Sequence, residues 1–159
     1  MKITIIAVGK VKEKFYREAV AEFSKRLSRY CKLEILEVSD EKTPDAASER
    51  EEELILEKEG ERILRLLKPE MQVYALAIQG ESFDSPGFAA AIEKEGIQGN
   101  SWLCFVIGGS LGLSRQVLDK SPHKISFSAM TFPHQLMRVI LLEQIYRAFR
   151  IISKEPYHK

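Results

Sequence analysis

Cysteine and histidine are scarce in this sequence, and neither residue type is arranged as a metal site. Cys31 and Cys104 lie far apart in the chain and match no metal-binding spacing. Both stand beside apolar residues, so we expect buried, reduced thiols, which are typical of cytoplasmic proteins. The three histidines, His123, His134 and His158, are dispersed along the chain. The sequence therefore predicts no metal.

Long apolar runs are absent as well. The longest runs are only as long as a β-strand, which predicts that no segment spans a membrane. The apolar residues 3–8 are too few for the core of a signal peptide, and no small-residue cleavage site follows them. A chain of 159 residues with 45% hydrophobic and 30% charged residues fits one globular domain over residues 1–159. We expect a cytoplasmic protein without a membrane partner.

The chain also has almost no net charge, but its charges are segregated. The total of +1 argues against a protein that coats nucleic acid without specificity. Residues 1–32 carry nine basic and three acidic side chains, whereas residues 33–70 carry six basic and thirteen acidic ones. The first stretch forms either a local phosphate-facing patch or an ordinary solvated helix face. Its candidate residues are Lys10, Lys12, Lys14, Arg17, Lys25, Arg26 and Arg29.

A glycine turn at residues 108–112 follows a strand-like apolar run at residues 102–107, but it matches no familiar nucleotide motif. Its glycines do not follow G-x-G-x-x-G, the turn lacks the G-K-[ST] of a P-loop, and Ser110 does not lie in G-x-S-x-G. On its own, the turn is equally consistent with a plain connection between a strand and a helix.

Strand-like and helix-like segments alternate along the whole chain. Residues 3–8 and residues 73–78 predict the first and third strands, and Ser48 with Glu51 predicts a capping box at the start of the second helix.

Because the strands read as continuous apolar runs, they predict a parallel sheet buried on both faces by helices, which is an α/β fold. In such sheets ligands bind at the carboxyl ends of the strands. Three strand exits are candidates for a site: residues 76–80, residues 107–112 and residues 127–132.

The last exit leads into the final helix. Thr131 is the expected N-cap of that helix, and Pro133 suits its first turn. Unpaired N–H groups at the helix start are suited to a carboxylate, a phosphate or the edge of an adenine, with Phe127, Met130 and Phe132 as apolar walls. A capped helix with core aromatics explains the same residues.

The final helix has a very wide apolar arc with Arg138 in its middle. A wide arc predicts burial against both the sheet and a second surface, most simply another copy of the chain, with Tyr146 and Phe149 at that interface. A buried charge needs a partner. We therefore expect Arg138 to contact a carboxylate or carbonyls across the interface, or an anionic ligand.

The motifs together resemble the RlmH family of the SPOUT methyltransferases, over the full length of the chain. The residues that carry the resemblance are KITIIAVGK (residues 2–10), FVIGGS (residues 105–110), FSAMTFPHQLMR (residues 127–138), LEQIYRA (residues 142–148) and PYHK (residues 156–159).

This resemblance implies a homodimer of SPOUT-type α/β domains with a C-terminal trefoil knot. It implies S-adenosylmethionine as the methyl donor and N3 of a pseudouridine in 23S rRNA, within the assembled ribosome, as the acceptor. Carried over to this sequence, the cofactor-binding residues are Leu76, Gly108, Phe127, Ser128, Ala129, Met130, Thr131 and Phe132.

Methyl transfer to N3 requires that the acceptor lose a proton, so a base or a stabilising cation is needed. His158 and Tyr157 are candidates if the C-terminal tail folds over the pocket, and Arg138 is a candidate electrostatic stabiliser. Two alternatives remain open: a non-catalytic ribosome- or RNA-binding factor with the same fold, and a different nucleotide-using enzyme on such a sheet.

Overall fold

Five parallel strands and five helices alternate in the computed structural model, which describes residues 1–159. The strands are β1 (Lys2–Val8), β2 (Lys32–Val38), β3 (Gln72–Ser82), β4 (Trp102–Ile107) and β5 (His123–Ser126). The helices are α1 (Lys14–Leu27), α2 (Glu49–Leu64), α3 (Ser85–Ile97), α4 (Arg115–Asp119) and α5 (His134–Ile152). The sheet order is β2-β1-β4-β3-β5 with every pairing parallel, which confirms the predicted α/β fold.

Helices cover both faces of the sheet and form two apolar layers. Along β1, Ile3 and Ile5 belong to a cluster of 18 buried residues shared with α1, α3 and α5, whereas Ile6 and Val8 belong to a cluster of 9 shared with α2 and α4. Alternate side chains of a strand point to opposite faces, so a strand buried on both faces must be apolar throughout. No helix has the length and apolarity that crossing a membrane requires.

Strand β3 continues past its expected end near residue 78. It pairs with β5 twice, first with Leu76 opposite Ile125 and then with Glu81 opposite Ile125, so residues 77–80 bulge out between the two pairings. A Cβ on Gly80 would lie 2.6 Å from the backbone of Ile125, which is why this position tolerates no side chain. The first predicted exit is therefore a bulge within a strand.

The ends of two helices test the capping predictions. Ser48 and Glu51 form the predicted capping box at the start of α2, with both reciprocal hydrogen bonds present. The prediction that Thr131 caps α5 is wrong: the N-cap is Pro133, in an extended conformation, and no side chain caps the helix. The loop instead makes its own turn, in which the Met130 N–H donates to Ser128 Oγ at 2.9 Å.

Helix α5 lies between α1 and α3, and these two neighbours cover much of its wide apolar arc. Phe149 is 9% exposed, and its ring stacks on Tyr30 at 5.6 Å, just beyond α1. Tyr146 contacts the rings of Tyr30 and Phe23. Tyr146 and Phe149 thus face their own chain, contrary to the expected interface. The homodimer stays a prediction.

Both cysteines are buried free thiols, as predicted. Burial raises the pKa of Cys31 to about 11 and that of Cys104 to about 12. Because the thiolate is the reactive form of cysteine, these side chains act as small core residues rather than as nucleophiles.

Candidate functional site

The three predicted exits meet at one cavity at the carboxyl edge of the sheet. The cavity has a volume of about 380 Å³ and is lined by the β3 bulge, the glycine turn, residues 125–132 and the start of α5. This volume is in the range of small-molecule sites. The structure thus brings together segments that lie far apart in the chain.

Most of the residues that the resemblance assigns to a cofactor line this cavity. Leu76 comes from the bulge and Gly108 from the glycine turn, and the others follow β5: Phe127, Ser128, Met130, Thr131 and Phe132. Ala129 belongs to the same loop but does not line the cavity. Several lining residues lie outside the three predicted exits, among them Leu113, Leu118, Ile125 and Met137.

The glycine turn is closed on itself. The Gly112 N–H donates to the Gly109 carbonyl at 3.0 Å, and Gly112 has a φ of +87°, a region that favours glycine. A Cβ on Gly108 would collide with the carbonyl of Gly112. A valine at position 108 would therefore displace the turn itself, and it would not act only as a block to a ligand.

A buried carboxylate of α2 lies next to this turn. Glu59 of α2 is 4% exposed, and its Oε2 accepts a hydrogen bond from the Glu41 N–H at 2.9 Å. Its Oε1 has no partner and would lie 3.1 Å from a Cβ on Gly109. Burial raises the pKa of Glu59, and the neighbouring carboxylate of Asp40 adds to this shift.

Sequence reasoning missed Glu59, although a signal was present. Glu59 lies four residues from both Ile55 and Ile63, on the buried stripe of α2. An acidic side chain at that spacing among apolar residues indicates a carboxylate turned inward. Next to it, Gly60 contacts α4, because a Cβ there would overlap Ser114 Oγ.

His134 is the titratable side chain that lines the cavity. Burial lowers its pKa, and the positive charges of Arg138 and Lys12 lower it further. A Cβ on Gly9 would lie 3.5 Å from its Nε2, so the end of β1 is in close contact with the ring. The imidazole is therefore neutral near pH 7, and one of its nitrogens is free to accept a proton.

Arg138 is buried, as the helix pattern predicts, but its partners belong to its own chain. It is 2% exposed, its Nη1 donates to Glu37 Oε2 at 2.5 Å, and its Nη2 donates to the Gly9 carbonyl at 3.1 Å. The ends of β2 and β1 supply these groups. Arg138 does not line the cavity, and its expected partner across an interface is replaced by Glu37.

The C-terminal tail packs along α5. The Tyr157 hydroxyl donates to Glu143 Oε1 at 3.1 Å, and its ring meets Tyr146 edge-on at 4.9 Å. Burial raises the pKa of Tyr157, and the hydrogen bond to Glu143 raises it further. His158 Nδ1 lies 3.2 Å from Arg147 Nη1. The tail is therefore held in a defined place.

His158 borders a second cavity of about 670 Å³ between α3 and α5. The two cavities share Ile125, Ser126, Phe127 and Phe132, which form the wall between them. Within one chain, neither His158 nor Tyr157 lines the first cavity. No group of three or more His, Cys, Asp or Glu side chains has the arrangement of a metal site.

The family model and the full-length relatives that match this chain all describe methyltransferases. The family model described as "Predicted SPOUT methyltransferase" matches residues 1–158. The chain is 60% identical over 159 residues to "Ribosomal RNA large subunit methyltransferase H" of Clostridium botulinum (strain Hall), with 100% of both chains covered. It is 59% identical, with the same coverage, to the protein of that name in Clostridium perfringens (strain 13).

One solved structure supports the fold. It is described as the structure of a probable methylase family protein from Haemophilus influenzae Rd KW20 and superimposes with a TM-score of 0.57. The match covers 99% of this chain and 70% of the other at 12% sequence identity. At that identity, the likeness concerns the fold alone.

Proposed function

The chain belongs to the RlmH family of SPOUT methyltransferases, and we propose that it methylates N3 of a pseudouridine in 23S rRNA within the assembled ribosome, with S-adenosylmethionine as donor. It is an rRNA methyltransferase, as its full-length relatives are. The observation that carries the finer proposal is the convergence of three segments on one cavity. With an rRNA substrate we expect the enzyme in the cytoplasm, and family membership makes the trefoil knot part of the same proposal.

The cavity residues suit S-adenosylmethionine, which supplies an already activated methyl group. Leu76, Phe127 and Phe132 give apolar walls for an adenine ring, and Gly108 lines the same cavity without a side chain. Ser128, Met130 and Thr131 complete the loop on the same side. We propose these residues, with the backbone of Ala129, as the cofactor site. Their main task is to hold the methyl group in line with the acceptor nitrogen.

Loss of the acceptor proton needs a base beside this cavity. We propose that His158 and Tyr157 approach it from the tail of a second copy, because the tail of the same chain lies behind the shared wall. Arg138 contributes indirectly: it ties the ends of β1 and β2 to α5 and so fixes His134 and the start of that helix. In this arrangement Arg138 positions the site, and its charge lowers the pKa of His134.

A homodimer is part of this proposal. Its support is the first half of α5, where Leu136, Val139 and Ile140 are only half-buried although the helix is apolar. Ile140 borders the second cavity together with His158. Sedimentation velocity tests the assignment: Val139→Glu is expected to shift the protein towards monomer, whereas a change at exposed Ala90 is not.

The central experiment measures methyl transfer to intact ribosomes, separated subunits and free 23S rRNA, followed by mapping of the modified nucleotide. We expect turnover on assembled ribosomes at N3 of a pseudouridine. Calorimetry on Ala77→Phe, which fills the cavity, is expected to show at least tenfold weaker binding of S-adenosylmethionine. The matched control is Ala90→Phe on the exposed face of α3. Equal affinity of both variants for S-adenosylmethionine would show that this cavity is not the cofactor site.

A further inference from the structure

Seven of the nine basic side chains of residues 1–32 fall into two groups at opposite ends of α1. Lys10, Lys12, Lys14 and Arg17 lie at its start, whereas Lys25, Arg26 and Arg29 lie at its end. A helix of 14 residues is about 20 Å long at about 1.5 Å per residue, so the two groups form separate surfaces. The sequence alone treats them as one patch.

The two groups differ in how far their charge is already neutralised. At the end of α1, Arg26 pairs with Glu22 at 3.0 Å and Arg29 with Glu155 at 3.4 Å. At its start, Lys14 makes one loose pair with Glu18 at 3.7 Å, in which the side chains are 80% and 66% exposed. Lys10, Lys12 and Arg17 make no ion pair, although Arg17 donates to the Lys12 carbonyl at 2.9 Å.

An exposed aromatic ring stands among the cations at the start of α1. Phe15 is 60% exposed, which is unusual for so large an apolar side chain, and its ring lies 4.3 Å from that of Tyr16. Cations combined with an accessible aromatic ring are the arrangement that binds single-stranded nucleic acid, through phosphate contacts and base stacking. At the other end of α1, Arg26 and Arg29 lie over aromatic rings that are half-buried, those of Phe23, Tyr30 and Tyr146, so no exposed ring stands beside them.

This segment also lies next to the cavity. The Lys12 N–H donates to Gln135 Oε1 at 2.9 Å, which joins the segment to the first turn of α5. Gly9, just before it, lies beside the ring of His134, a residue that lines the cavity: a Cβ on Gly9 would be 3.5 Å from the ring Nε2. A nucleotide held on residues 10–17 is therefore within reach of the edge where methyl transfer is proposed.

We propose that residues 10–17 are an RNA-docking surface, in which Lys10, Lys12, Lys14 and Arg17 bind phosphates and Phe15 stacks on an unpaired base next to the target nucleotide. The proposal rests on the proposed function, because it takes rRNA as the substrate. The acidic side chains of α2, on the other helical layer, repel the same phosphates and so favour one orientation of the enzyme on RNA.

The test compares two triple variants that remove equal charge. Lys10→Gln/Lys12→Gln/Lys14→Gln changes the docking surface, and Lys25→Gln/Arg29→Gln/Lys32→Gln is the control. For the first, we expect KM for ribosomes to rise by about tenfold or more, with kcat and S-adenosylmethionine affinity unchanged, because fewer cations then bind phosphates and only RNA binding weakens. The salt dependence of binding should flatten by about one unit for each phosphate that the variant no longer binds. The control is expected to stay within about twofold.

Equal loss in both triple variants would overturn the proposal, since it would show that only overall charge matters. An unchanged KM in the first triple would overturn it too. Binding of a fluorescent 23S rRNA fragment, measured by anisotropy, separates this proposal from the proposed function. If the unmodified enzyme transferred no methyl group but bound RNA through residues 10–17, methylation would fail as the function while the docking surface stood.

The role of Phe15 is tested by Phe15→Ala and Phe15→Tyr. We expect the alanine variant to weaken RNA binding at least fivefold, because stacking on one base contributes about 1–3 kcal/mol, and the tyrosine variant to restore it. Sedimentation velocity of both variants tests whether a second copy of the chain, rather than RNA, binds this surface. A loss of self-association in Phe15→Ala, with RNA affinity of the monomer unchanged, would make the surface an interface between copies and overturn the proposal.

Discussion

The first two strand–helix units of the chain have the same architecture and opposite properties. In the first unit, residues 1–32, strand β1 is buried on both faces and α1 presents basic side chains beside the start of α5. In the second unit, residues 33–70, strand β2 is half-exposed at the sheet edge and α2 is acidic, with Glu59 beneath the glycine turn. We infer a division of labour in which the first unit meets the substrate and the second supports the cofactor site.

The largest effect is expected from removing the C-terminal tail, because the tail carries the two proposed proton acceptors, Tyr157 and His158. Loss of activity would separate this region, which packs on α5, from the second unit, which is expected only to support the cofactor site. Deletion of residues 157–159 is expected to reduce methylation of ribosomes about 10³-fold, the range of a lost general base. Cofactor affinity and dimerisation should be spared, because within one chain neither Tyr157 nor His158 lines the first cavity, and the half-buried apolar side chains of the first half of α5 stay in place.

Deletion of Lys159 alone serves as the control for the tail. It removes one charge but leaves Tyr157 and His158 in place. Full turnover by the enzyme lacking residues 157–159 would show that the tail is not needed, and His134 would become the candidate base.

The next effect concerns the residue that joins the two units. Arg138 binds Gly9 at the end of β1 and Glu37 on β2, so Arg138→Met leaves a carboxylate and a carbonyl without their donor. We expect a loss of about 1–3 kcal/mol in the free energy of unfolding, measured in urea, because the Gly9 carbonyl is left without its donor while the partly exposed Glu37 can be hydrated. Arg50→Met, which breaks an exposed pair with Glu53, should cost less than about 0.5 kcal/mol. Equal losses would remove the special status of Arg138.

A smaller effect tests how closely α2 packs against α4. A Cβ on Gly60 would overlap Ser114 Oγ, the group that caps α4, so Gly60→Ala is expected to cost about 2 kcal/mol. At Gly96 of α3, a Cβ would meet only the flexible end of Met1 at 3.4 Å. Gly96→Ala should therefore stabilise the protein, by about 0.5–1 kcal/mol. A stabilised Gly60→Ala protein would contradict the close packing of α2 on α4.

The smallest effect is expected from neutralising the buried carboxylate of Glu59. Its pKa is raised in the folded state, so the folded protein holds this proton to higher pH than the unfolded chain does, and stability falls as pH rises through that window. The groups around it are Asp40, Glu41 and Arg62. Glu59→Gln removes the penalty, and we expect up to about 1 kcal/mol of added stability at neutral pH.

The gain from Glu59→Gln should disappear near pH 4, where the carboxyl of the unfolded chain is protonated as well. Glu57→Gln, at an exposed position of the same helix, should change stability equally little at every pH. A gain that is independent of pH would mean that the buried charge is not its source.

Local sequence patterns predicted the features that depend on a residue and its near neighbours. The apolar run of residues 3–8 is a strand, Ser48 and Glu51 cap α2, and the exits at Gly108 and Phe127 reach one cavity. These follow from side-chain alternation, capping chemistry and the rule that ligands bind at the carboxyl ends of parallel strands.

Features that depend on distant partners were not predictable. The bulge in β3 exists because Gly80 meets the backbone of Ile125, and the charge of Arg138 is met by Glu37, which lies far earlier in the chain. The periodicity of α5 predicts a wide apolar arc, but it cannot say whether elements of the same chain or a second copy cover that arc. Which of the two cavities His158 borders depends, in the same way, on how the tail turns after α5.

The placement of the two chain ends has a practical consequence for work with this enzyme. Met1 stands at the amino end of β1, at the sheet edge opposite the cavity, and its carbonyl accepts from the Lys32 N–H. Lys159 directly follows His158, which borders the second cavity. A purification tag fused after Lys159 would crowd the tail, whereas a tag fused before Met1 would emerge away from both cavities. Fluorophores and surface tethers for single-molecule work belong at the amino terminus for the same reason.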